Sequence, residues 1–144
     1  MAGKVSKSLH SMEEKLSSLY GEKISFLNKL IELQKRQLQI LDFEDGEGAA
    51  KLELQNSDLV EKMKRLDRKI EQLEESSPQT LEIIRLSDTI FQKLEESRDL
   101  NSQVGEKMEI ILQEYRKELN LVQSKIQLKK FLAHRKLDWK TGTC

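Results

Sequence analysis

The stretch Leu100-Asn101-Ser102-Gln103-Val104-Gly105 decides the fold, because it lies within the last of three apolar stripes and holds the one residue at which that stripe could bend. A sharp reversal needs a cluster of breakers, whereas a lone glycine costs a helix only about 1 kcal/mol. Gly105 stands without such a cluster. The segment therefore reads as continuing helix; folding back into a four-helix bundle is the alternative.

On its N-terminal side the stripe runs through Ile83, Leu86, Ile90 and Leu94 and weakens at Ser97 and Asn101. Beyond it come Val104, Met108, Ile111, Tyr115, Leu119, Val122 and Ile126, and the step from Tyr115 to Leu119 adds a residue to the heptad and shifts its phase. Further upstream, Leu9, Met12, Leu16, Leu19, Lys23, Phe26, Leu30, Leu33, Gln37 and Ile40 keep alternating steps of three and four. A second row, Tyr20, Ile24, Leu27, Ile31, Leu38 and Leu41, widens that face, so the C-terminal half of the first helix needs two neighbours. Leu52, Asn56, Leu59, Met63, Leu66, Ile70 and Leu73 form the return stripe. Its polar Asn56 reads either as a register-setting position or as a solvated edge.

The breaks lie between these stripes. In Asp42-Phe43-Glu44-Asp45-Gly46-Glu47-Gly48 the glycines interrupt the helix and the chain reverses. In Ser76-Ser77-Pro78, Ser77 is placed to cap and Pro78 to occupy the first helical position. The expected helices span about 6–42, 50–75 and 78–136, with a loosely ordered tail at 137–144. At 1.5 Å per residue they measure roughly 50, 36 and 80 Å, so the third outruns its partners. The fold class is all-α: an elongated antiparallel helical hairpin plus a long third helix, a three-helix bundle or coiled coil within one domain.

Composition agrees with a thin core: 35% of residues are charged and 5% aromatic, with one proline and six glycines among 144 residues. The 25 basic and 25 acidic residues balance, which gives no global field to attract nucleic acid. Locally the sign shifts, from an acidic stretch at 42–75 to a basic one holding Arg116, Lys117, Lys125, Lys129, Lys130, Arg135, Lys136 and Lys140 against Glu118 and Asp138. A solvated helix face is the ordinary reading of such a run. With no apolar leader and no long uncharged stretch, a cytoplasmic location without membrane insertion is expected.

No catalytic or metal-ligand spacing is present. His10 and His134 are far apart, Cys144 is a lone terminal thiol, and the glycines match no phosphate-binding pattern. Neither an enzyme nor a cofactor is expected. His134 reads as a surface residue near a helix end, and Trp139 as an indole that either folds back or anchors a partner. The 108–126 stripe reads as a partner-binding face, with burial between two copies as its competitor.

Two regions carry a family resemblance. Leu30-Ile31-Glu32-Leu33-Gln34-Lys35-Arg36-Gln37-Leu38-Gln39-Ile40-Leu41, followed by the helix over 59–74, is similar to the leucine-rich hairpin, with its glutamine-rich first arm, of the FlgN family of flagellar export chaperones. Arg98-Asp99-Leu100-Asn101, leading into 108–113, resembles the leucine-asparagine segment of that family's last helix. The likeness covers roughly residues 12 to 125. Val104 stands where the family often has a second asparagine, and the basic, Trp-containing tail has no counterpart.

The resemblance implies a non-enzymatic cytoplasmic chaperone of flagellum biogenesis. It would bind the C-terminal helical segment of hook-filament junction proteins and deliver them to the type III export apparatus. On that reading Leu100, Asn101, Val104, Met108, Ile111, Leu112, Tyr115, Leu119, Val122 and Ile126 meet the client. Lys129, Lys130, Arg135, Lys136 and Trp139 are candidates for a second contact, such as the export machinery. The competing expectation is a structural coiled-coil scaffold or homodimeric adaptor with no client.

Overall fold

A computed structural model describes the backbone of residues 2–142 and the side chains of 11–134. Three helices follow one another: α1 (Ala2–Asp42), α2 (Gly46–Glu74) and α3 (Leu81–Gly142), with no strand among the described residues. The chain divides into two compact units, Met1–Lys107 and Met108–Cys144.

In the first unit α1 packs against both other helices, as its double apolar row requires. Leu16, Tyr20, Leu27 and Leu30 of α1 form one buried cluster with Met63, Leu66 and Ile70 of α2 and Ile83 and Ile90 of α3. Beyond this cluster the core changes character. Gln34, Gln37, Asn56 and Ser97 are buried, at 4%, 2%, 4% and 7% exposure. Asn56 Nδ2 donates to Gln37 Oε1 at 2.8 Å, while Gln37 Nε2 donates to the Ala49 carbonyl at 3.1 Å and to Glu53 Oε2 at 2.9 Å. Ser97 Oγ donates to Gln34 Oε1 at 2.9 Å, which ties α3 to α1. Ser97 of the weak patch in the third stripe and Asn56, the polar break in the second, are thus both buried against glutamines of α1, and Asn56 is no solvated edge.

The reversal between α1 and α2 is tighter than the glycines suggest. Glu44 N–H donates to the Leu41 carbonyl at 2.9 Å and Asp45 N–H to that of Ile40 at 3.3 Å, the paired bonds of a Schellman ending. Glu44 supplies the left-handed residue, with φ 58°, where glycine is usual. Gly46 and Gly48 lie inside α2, which therefore starts before residue 50, and neither has positive φ. Asp45 makes this early start stable by accepting the Gly48 N–H at 2.8 Å. A Cβ at Gly48 would collide with the Asp45 carboxylate, so the glycine there makes room for the cap.

α3 starts at Leu81 rather than at Pro78. Thr80 is the capping residue: its Oγ1 accepts the Ile83 N–H at 3.4 Å and its carbonyl the Ile84 N–H at 3.1 Å. Ser77 does not cap, and its hydroxyl is buried without a partner. α3 then continues through Gly105 without interruption, and its helical backbone reaches Gly142, past the expected end at 136. No proline follows Pro78 to stop it.

Candidate helix-binding face

Exposed apolar side chains concentrate on the second unit. Leu112, Tyr115, Leu119, Val122 and Ile126 are exposed by 47%, 57%, 58%, 51% and 46%. They follow one another at alternating steps of three and four and so share one face of α3. Lys129 and Lys130, just beyond, are also exposed.

The other expected contact residues are placed differently. Val104 and Ile111 are buried, which removes them from a free surface. Leu100 and Met108 are half-buried and Asn101 is exposed. The side chains of Arg135, Lys136 and Trp139 lie outside the described residues, as do the tail residues 143–144 and the side chain of His10. His134 is exposed.

In the second unit, five exposed apolar residues among those described escaped the sequence reading: Ile110, Leu121, Leu128, Phe131 and Leu132. They lie off the face of the dominant stripe or beyond its last position, and a reading of that stripe alone passes over them. A second scan at the helical period would have found Leu121, Leu128 and Leu132 at steps of seven and four.

Within the first unit the polar groups serve packing. Lys23 pairs with Asp67 at 2.6 Å, and Lys107 with Asp42. Tyr20 donates its hydroxyl to Glu74. Its pKa is pushed up to about 12, first by burial, then by that bond and the nearby Glu74 charge, with Ser87 acting in the opposite sense. Among the described residues no group of three or more His, Cys, Asp and Glu could hold a metal ion, and no helix is long and apolar enough to cross a membrane.

Fold and surface together define an all-α bundle, three helices in one chain, that offers an apolar helix face. Comparison with protein-family models, curated proteins and solved structures finds no match for this chain.

Proposed function

We propose that the protein is a non-enzymatic chaperone that binds an amphipathic helix of its client along the row from Leu112 to Ile126. The observation carrying this reading is that row, five side chains each about half exposed on one face of a continuous helix. Full burial of an apolar side chain contributes about 1.5 to 3 kcal/mol, so covering these half-exposed ones yields roughly 4 to 7 kcal/mol in total. Ordering a disordered client segment costs about 2 to 5 kcal/mol of that. The balance, at most about 5 kcal/mol from this side of the interface, favours readily reversible binding and release, as a carrier needs.

The likeness of the glutamine-rich hairpin and the leucine-asparagine segment to the FlgN family supports the finer reading. There the client is the C-terminal helix of a hook-filament junction protein and the destination is the type III export apparatus. A second reading has a specific observation behind it: alternating three- and four-residue steps also suit a two-stranded seam between copies of this chain.

The test mixes the purified protein with a peptide from the C-terminus of a junction protein and follows helicity by circular dichroism and mass by light scattering. The chaperone reading expects a gain in both, abolished by Leu119→Asp with Val122→Asp while the melting temperature holds. A stable dimer that ignores the peptide overturns it in favour of the scaffold.

A further inference from the structure

The second half of α3 carries two apolar rows. At about 100° per residue, Leu112, Tyr115, Leu119, Val122 and Ile126 fall within an arc of about 80°. Leu121, Leu128 and Leu132 fall within an arc of about 40° whose centre lies roughly 140° away. Both rows are exposed along their whole length. Glu118, Lys125 and Lys129 separate them on one flank; Asn120 and Gln127 lie on the other, where the exposed Phe131 borders the second row.

The charge on α3 becomes one-sided in sign after Glu118. From Leu119 to Leu137 the sequence contains no Asp or Glu, but it holds Lys125, Lys129, Lys130, Arg135 and Lys136. Lys125, Lys129 and Lys130 are exposed and make no ion pair among the described residues. No acid stands three or four residues from any of them, so α3 itself cannot supply one.

We propose that this part of α3 is the central strut of an intermolecular bundle, taking two helices of an acidic partner, one on each row. The proposal rests on the reading that this face binds helices and extends it to a second face and to the partner's charge. A membrane surface fits poorly, since a helix lying on lipid needs one broad apolar face opposite a polar one. A second copy fits only in part. Parallel pairing along the first row sets Lys125 against Lys130 across the seam, and antiparallel pairing, which sets Glu118 against Lys125, leaves the second row uncovered. Glutamates flanking the seams of a partner helix meet these cations instead.

The probe is a synthetic peptide with leucine at heptad positions a and d and glutamate at e and g, compared with a twin carrying lysine at e and g. Titration calorimetry on the full chain should give two glutamate peptides per chain, and at least tenfold weaker binding of the lysine twin at low salt, a gap that narrows as salt rises. Leu119→Asp with Val122→Asp should reduce the count to one, and so should Leu121→Asp with Leu128→Asp, each with unchanged melting.

One peptide per chain, with Leu121→Asp/Leu128→Asp behaving as wild type, overturns the two-row proposal and leaves the single-row chaperone standing. Equal binding of the twins overturns the acidic partner. A dimer before any peptide is added, dissociated by Leu121→Asp/Leu128→Asp, assigns the second row to another copy. Binding to phosphatidylglycerol vesicles without binding to either peptide assigns the face to lipid. Two glutamate peptides bound while the junction-protein peptide is ignored would uphold this inference and remove the export reading.

Discussion

Replacing Gln37 and Asn56 by leucine, singly and together, tests whether the buried polar layer acts as a unit. Gln37 is 2% exposed and accepts the Asn56 amide at 2.8 Å. Asn56 Oδ1 already has no partner. Gln37→Leu therefore strips Asn56 of its one side-chain bond and leaves its whole amide unpaired in the core. A buried group left unsatisfied costs about 1 to 3 kcal/mol, and the gained methyl surface offsets part of that, so the expected loss is about 2 kcal/mol. Asn56→Leu orphans Gln37 Oε1 but removes the unpartnered Oδ1, and the expected loss is about 1 kcal/mol.

In the double variant neither orphan remains. Apolar replacement of a buried polar set is commonly neutral or stabilising, so the pair should lie within about 1 kcal/mol of wild type or above it. The two substitutions then couple by about 2 to 3 kcal/mol, well beyond the roughly 0.5 kcal/mol scatter of independent sites. Urea unfolding followed by far-ultraviolet circular dichroism measures this, with unchanged m-values as the condition for comparing midpoints. Additivity of the single losses would refute the reasoning, because it would mean that the two amides do not depend on each other.

Three further outcomes follow from particular residues. Glu44 occupies the left-handed region, which costs a side-chain-bearing residue about 1 to 2 kcal/mol, while glycine loses about 0.5 to 1 kcal/mol more chain entropy on ordering; Glu44→Gly should raise stability by roughly 0.5 to 1 kcal/mol in the same urea assay. Tyr20 holds its proton more tightly folded than unfolded, so its contribution is complete below pH 10 and declines by about 1.4 kcal/mol per pH unit between about 10 and 12. The midpoint measured across that range should fall more steeply for wild type than for Tyr20→Phe. Leu27, fully buried at 0% exposure in the apolar cluster, should cost about 2 to 5 kcal/mol when cut to alanine, read as a drop in melting temperature.

Much of the architecture was legible because it is local. The 3.6-residue period, the strong helix formers and the scarcity of proline fix three helices, and the double row on the first predicts its two neighbours. The apolar row from Leu112 to Ile126 was legible for the same reason. Capping was harder to read: Ser77 and Thr80 are both competent caps, and the choice depends on where the connection lets α3 begin. The glycines at 46 and 48 look like a stop in sequence, yet Asp45 turns them into the start of α2.

The sequence by itself determined that this is an all-α chain with a hairpin and a long third helix, since periodicity and propensity need no distant partner. Tertiary structure alone decided which polar residues go inside. Asn56 and Ser97 read as polar breaks in apolar stripes and Gln37 as a member of one, and these three together with Gln34 are buried because each meets a hydrogen-bonding partner on another helix. It also decided that Val104 and Ile111 are buried while Leu112, Tyr115, Leu119, Val122 and Ile126 remain exposed. Spacing assigns a residue to a helix face, but only the arrival or absence of a neighbouring surface sets its burial.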